Sequence, residues 1–255
     1  MIEILPWTEK NPLNMIGFCA GVCWNSPVDN MEKNIKRAKE CIMSGHGRVA
    51  EYPDIYMVIN GYSARCIREL YTHIIGTTRL QSSTRYVNAK NMDVENEFYY
   101  PETLSEENKE IYKKTISEIM NAYAKLEDSG LPKEDAANLL PLGMHSKIVF
   151  KINLRALIHF ANMRLCSRSY REIRTLTKEI KNSLYSLSDE WAWICDNLLV
   201  PKCFALGYCD EAKSCGLKPA GLKGLKEKAL NDFAKDLESK GLITNAEEIL
   251  KNYNG

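Results

Sequence analysis

Residues 153–174 read NLRALIHFANMRLCSRSYREIR, setting Arg155, His159, Arg164, Arg168, Arg171 and Arg174 among Leu157, Ile158, Phe160, Met163 and Leu165. The apolar residues call for burial of one side, and a buried guanidinium needs an anion or several acceptors. A chain with this segment must either let its arginines snorkel into water or gather acceptors or an anionic ligand around them. The spacing is largely helical. At about 100° per residue, Arg155 and His159 share one face, while Arg164 and Arg168 lie nearly opposite. A continuous helix of this kind cannot turn both faces to one pocket of a monomer, so the expectation is an oligomer in which one helix serves two sites.

A second polar cluster, RLQSSTRY at residues 79–86, packs hydroxyls, an amide and two guanidiniums into what reads as a loop. Hydroxyls and backbone N–H groups offer neutral donors to a phosphate, and arginine adds a charge-assisted bidentate contact. A solvated turn is the alternative.

Composition narrows the setting. The 34 Lys and Arg nearly balance 33 Asp and Glu, a net charge of +1, so anions must be held by local clusters rather than by a general field. No nucleic-acid or membrane partner is expected on this balance. The N-terminal MIEILPWTEKN has no basic segment followed by an apolar run, and no long apolar stretch follows, so a soluble cytoplasmic protein is expected. Nine cysteines are an odd number, and six of them, all but Cys203, Cys209 and Cys215, are scattered through helix and strand patterns, which fits reduced thiols rather than a disulfide framework.

Apolar spacing predicts a helix over 29–43, with Asp29 or Asn30 as N-cap and Gly45 as its stop. A strand follows over 55–59, a helix over 63–73, and a turn at Gly76, Thr77 and Thr78. After an irregular stretch to Pro101 come a long surface helix over 106–126, a short helix from Pro132, and a strand over 145–152. Two helices are predicted over 153–166 and 170–198, then a loop rich in Cys, Lys and Gly and a last amphipathic helix over 225–253. The expected organisation is a mixed α/β domain over 1–198 and an appendage over 199–255.

These residues resemble the flavin-dependent thymidylate synthase family over roughly 14–195. The family's Arg-His-Arg, Ser, Glu-x-Ser-x-Arg-Tyr signature is matched by Thr78, Gln81, Ser83, Arg85 and Tyr86, with His73, Ile74 and Ile75 standing where Arg-His-Arg is usual. Ala20 to Trp24 resemble its Ala-Arg-Val-Ser-Phe. Gly45, His46 and Glu51 resemble a Gly-His and later Glu, Glu97 to Pro101 a Glu-Phe-Tyr-x-Pro, and Leu140, Pro141, Leu142 and Lys147 a Leu-Pro-Leu with a following cation. Asn153, Arg155, Leu157, His159, Phe160 and Arg164, then Glu172 and Ile173, resemble the family's Asn-x-Arg-x-Leu-x-Asn-Phe segment.

The resemblance implies an α+β fold of the thymidylate synthase complementing protein type, with helices around an antiparallel sheet. It implies methylation of dUMP to dTMP, with FAD at a homotetramer interface, NADPH as reductant and methylenetetrahydrofolate as carbon donor. By position, Gln81, Ser83, Arg85, Lys147 and Arg164 would bind dUMP, with Arg164 the catalytic residue against the uracil. His46, Glu51, Asn153, Arg155, His159 and Arg168 would contact FAD. Arg68 or Arg79 could replace a guanidinium of the missing Arg-His-Arg. Two other outcomes stay open: a flavin- and folate-dependent methyltransferase on another pyrimidine such as an RNA uridine, and a catalytically silent nucleotide- or flavin-binding homologue.

Cys166 reads as a packed helical cysteine and Ser83 as a phosphate contact, neither with a base marked beside it. Cys203, Cys209 and Cys215, with Cys195 before them, could supply four thiolates. The five-residue gaps exceed the usual two to four, so the expectation is a reduced loop without metal.

Overall fold

The computed structural model describes residues 1–86, 88–243 and 245. Its elements run β1 (Ile2–Ile4), α1 (Pro12–Cys23), α2 (Met31–Met43), β2 (Asp54–Ser63), α3 (Ala64–Leu70), β3 (Thr77–Gln81), α4 (Glu106–Asp128) and α5 (Lys133–Ala136). They continue with β4 (His145–Asn153), α6 (Leu154–Arg164), α7 (Arg171–Tyr185), α8 (Asp189–Asn197), α9 (Lys202–Leu206) and α10 (Gly221–Ser239). This is the expected α+β arrangement.

Strict alternation in two strands builds the centre. Ile55, Met57 and Ile59 of β2 and Ile148, Phe150 and Ile152 of β4 point inward and are buried. The opposite face carries Tyr56, Val58, Lys147, Val149 and Lys151, so the sheet packs helices on one side only. All neighbours are antiparallel, in the order β1-β2-β4-β3. β2 runs past the predicted Ile59 because a bulge at Asn60 and Gly61, with Gly61 at φ 78°, lets pairing resume at Tyr62.

β3 corrects the prediction of a turn at Thr77 and Thr78 and a loop from Arg79. Thr77 to Gln81 pair in register with Ile152 to Ile148. Its side chains are largely polar and exposed because it is an edge strand with no helix across its outer face, so no apolar alternation marked it. The helix predicted over 170–198 is in fact two. Ser188 interrupts it as the N-cap of α8, accepting from Trp191 N at 3.2 Å and donating to Lys10 O at 2.7 Å.

The helices close over the core through polar clasps. The buried Glu190 carboxylate accepts the N–H groups of Leu13 (2.6 Å) and Asn14 (3.0 Å), capping α1 where its own Asn11 makes no side-chain cap. Buried Glu172, at the start of α7, accepts from Ser63 N (2.7 Å), Ser63 Oγ (2.6 Å) and Tyr170 Oη (3.0 Å). Ser63 is itself the N-cap of α3, so one carboxylate joins the starts of two helices.

α1 and α2 approach so closely that a Cβ on Gly17 would stand 1.8 Å from Asn34 O. Gly17→Ala must push the pair apart, and a loss of about 2 kcal/mol is expected in a urea titration. An unchanged midpoint would mean that the two helices are not held at this separation.

The main core ends at Leu199, and a smaller cluster under α4 and α5 joins Phe98, Ile116, Met120 and Tyr123. Between residues 201 and 220 only Cys209 is buried. α10 ends at Ser239, short of the predicted helix; residues 244 and 246–255 lie outside the described residues. No described helix is long and apolar enough to cross a membrane.

Candidate active site

Two groups of clefts flank β3, one at each end. The strand is five residues long, so the groups stand about 15 Å apart.

At the C-terminal end, pairing of β3 with β4 brings the dUMP candidates Gln81, Ser83 and Lys147 together. Gln81 lies opposite Ile148, its Nε2 donates to Ser146 Oγ at 2.8 Å, and Ser82 N donates to Lys147 O at 2.8 Å. Ser83 and Lys147 line one open cleft with Asn60, Asn88, Asn91 and His145. Arg85 adjoins it, its N–H donating to Ser83 Oγ at 3.3 Å, while its guanidinium is drawn to Glu134 at 2.8 Å. The donors are hydroxyls, amides and an ammonium, a set suited to an anion.

At the other end, Glu51, Asn153, Arg155 and His159 line a second cleft with residues 72–76. An adjoining cleft shares Arg155 and adds His46 and Trp24. Arg155 pairs with Glu51 at 2.5 Å. Asn153 is the N-cap of α6, accepting from Ala156 N at 2.9 Å. Gly76 at φ 71° lets the chain turn against it, since a Cβ there would meet the Asn153 amide at 2.6 Å. Ile74 and Ile75, 67% and 86% exposed, form an apolar wall in place of arginines. Of the two suggested replacements, Arg68 is exposed on α3, whereas Arg79 lies over the Tyr71 ring at 4.2 Å and reaches His73 O at 3.5 Å.

Arg164, the last residue of α6, turns back to residues 69–73. Its Nε donates to His73 Nε2 at 3.0 Å, one terminal nitrogen to Thr72 Oγ1 at 3.1 Å, and the other faces Glu69 at 3.3 Å. His73 packs in turn against His159 and edge-on to Phe160, with ring centroids 5.9 and 4.9 Å away. The helical-wheel expectation therefore fails in part. Arg164 and His159 reach the same histidine, because a long side chain at a helix end can bend back around it. Arg168 lies past the end of α6 and joins neither cleft; it bonds Lys213 O at 3.3 Å and faces Glu211 at 3.4 Å. Arg85 and Arg164 stand in separate networks within the subunit.

Burial first, then Arg164 and His159, pull the His73 pKa from 6.5 down to about 4. A neutral ring keeps its Nε2 lone pair for Arg164, so that bond holds above about pH 4 and is lost as pH falls through it. An imidazole NMR titration should find this depressed midpoint. A value of about 6.5 would show a solvated ring that does not accept from Arg164.

Sequence reasoning named His73 only as a departure and missed Thr72, Glu69 and His145. One signal was available: the chain has 4 His, and all of them line these clefts.

The sequence matches the family described as thymidylate synthase complementing protein over residues 4–187. It is 31% identical over 200 residues to the flavin-dependent thymidylate synthase of Pyrococcus abyssi, covering 76% of this chain and 79% of that one. To the enzyme of the same name from Thermococcus onnurineus it is 34% identical over 235 residues, covering 86% and 91%. The fold resembles the Helicobacter pylori flavin-dependent thymidylate synthase solved with FAD and dUMP, with TM-score 0.60 and 18% identity over 73% of this chain and 95% of that one. It also resembles a UMP/dUMP methylase of Streptomyces cacaoi solved with 5-bromo-dUMP, with TM-score 0.64 and 17% identity over 78% and 96%. A family match across most of the chain, joined to relatives aligned over most of their own length, establishes that this chain belongs to the thymidylate synthase complementing protein family.

Proposed function

We propose that the protein is a flavin-dependent thymidylate synthase of the cytoplasm, methylating dUMP at C5 with methylenetetrahydrofolate as carbon donor and NADPH as reductant. The observation that carries this reading is the meeting of Ser83 and Lys147 in one cleft beside Gln81, from segments far apart in sequence. Ser83, Lys147 and Arg85 would hold the nucleotide phosphate, and Gln81 would donate to the nucleotide from its place on Ser146.

The second group of clefts suits FAD. Its Ile74–Ile75 wall and imidazoles offer apolar and flat surfaces to a ring system, and Arg155 offers a guanidinium to a diphosphate. His46, Glu51, Asn153, Arg155 and His159 would hold the cofactor; Arg168 would reach it only from a neighbouring subunit. When bound, FAD supplies the hydride that completes the methyl group.

Arg164 would lie against the uracil. Of its five N–H donors, three are engaged by His73, Thr72 and Glu69, leaving two for the ring edge. A guanidinium fixed there stabilises the negative charge that develops as C5 becomes nucleophilic. His73 would orient it without taking up a proton near neutral pH.

Because the halves lie at opposite ends of β3, a complete site would require several copies of the chain, as in a homotetramer. Inactive Arg85→Ala and Arg164→Ala variants are accordingly expected to recover activity when unfolded together and reassembled. No recovery from well-folded mixed oligomers would put both residues in one subunit's site.

The activity itself is tested with purified protein, FAD, NADPH, methylenetetrahydrofolate and dUMP, followed for dTMP. Flavin-loaded protein that binds dUMP without turnover would indicate a silent homologue, and methylation of RNA alone a different pyrimidine substrate.

A further inference from the structure

Four cysteines from three separate segments line one cavity beyond the end of α6. Cys166 follows the helix, Cys203 lies in α9, and Cys209 and Cys215 lie in the loop between α9 and α10. Cys195, which the sequence placed as a possible fourth thiolate behind an expected metal-free loop, is not among them. Cys195 is fully buried in the main core, its Sγ donating to Lys181 O at 3.4 Å. Cys166, dismissed from the sequence as a packed helical residue, takes its place.

We propose that Cys166, Cys203, Cys209 and Cys215 are the four ligands of a structural site for one thiophilic divalent cation of the zinc class, clasping the C-terminal loop to α6. The proposal is independent of the enzyme activity.

Three observations support it. First, the four side chains line the same cavity, and all are free thiols. Second, the hard donors of the cavity are already engaged. Asp210 is paired with Lys202, and Glu211 faces Arg168 at 3.4 Å, so the sulphurs are the available ligands. Third, the loop has almost no core of its own, with Cys209 alone buried between residues 201 and 220, and such a segment needs a cross-link to hold a fixed shape.

Local geometry is also that of a ligand loop. Gly216 at φ 92° turns the chain directly after Cys215, its N–H donating to Ser214 Oγ at 3.1 Å. Gly207 at φ 82° ends α9 between Cys203 and Cys209, and Cys209 is anchored by its N–H to Pro219 O at 2.7 Å. Among the described residues no three His, Cys, Asp or Glu side chains are gathered at metal-holding separation. Binding must therefore draw the sulphurs inward, replacing four S–H bonds by four S–metal bonds and releasing up to four protons.

The test uses the full chain, purified under reducing conditions, stripped with chelator and titrated with Zn²⁺ and separately with Co²⁺. One metal per chain is expected, with the intense sulphur-to-cobalt charge-transfer band and tetrahedral d–d bands of a tetrathiolate site. Cys203→Ser and Cys215→Ser should weaken uptake by more than about tenfold, while Cys23→Ser, far from the cavity, should retain it. If the serine variants fail to fold, the wild-type cobalt spectrum decides. The proposal is overturned by folded, reduced protein that takes up no metal, by undiminished uptake in both serine variants, by iron with acid-labile sulphide, or by a disulfide among these cysteines in protein prepared without oxygen.

Discussion

Arg164→Ala is expected to lower kcat/KM for dUMP methylation by about 10²–10³-fold, the usual cost of removing one preorganised donor from developing negative charge. The residue is 21% exposed at its side chain and held from three sides, so its orientation is set before substrate arrives. Arg164→Lys should rescue little, because an ammonium cannot serve His73, Thr72 and a ring edge with one planar fork. Folding should hardly change, since the pairing with Glu69 is partly solvated and worth less than about 1 kcal/mol. The discriminating measurement is steady-state kinetics beside a thermal melt. Activity within about twofold of wild type in a folded Arg164→Ala protein would remove this residue from the chemistry.

The largest stability effect is expected at Glu172. Its carboxylate accepts three hydrogen bonds, two of them from Ser63, and is buried where it joins the starts of α3 and α7. Glu172→Ala leaves the Ser63 N–H and hydroxyl without an acceptor in the core, at a cost of about 3 kcal/mol. For a chain of this size that corresponds to a fall in Tm of about 6–12 °C. Glu172→Gln keeps an acceptor oxygen but loses the charge and adds a donor, so about half the effect is expected. A fall of less than about 2 °C for the alanine variant would show that water reaches Ser63 and that the clasp is not buried in solution. Ser63 begins the element that leads to Thr72 and His73, so a folded Glu172→Ala protein should also bind dUMP more weakly if the proposed role of Arg164 is right.

The sequence by itself determined whatever depends on neighbours along the chain. Apolar runs marked β2 and β4 as strands, helical spacing marked α2 and α4, and Asn30 announced its cap, whose side chain accepts from Lys33 N at 2.9 Å. The α+β class and the family were equally legible, since ordered motifs survive the loss of any one of them. The break between α7 and α8 is written in Ser188 followed by Asp189 and Glu190, a cap with acids in the first turn.

Only the tertiary structure decided what depends on partners distant in sequence. β3 is a strand because β4 lies beside it, and its polar side chains carry no period of their own. Arg164 and Arg168, four residues apart, part company because α6 ends between them and each bends to a different acceptor. Cys166 joins Cys203, Cys209 and Cys215 only when the tail folds back against α6. Local spacing constrains which face a residue occupies over a few turns. Which distant groups meet at that face is set by the packing free energy of the whole core, to which no short segment is a guide.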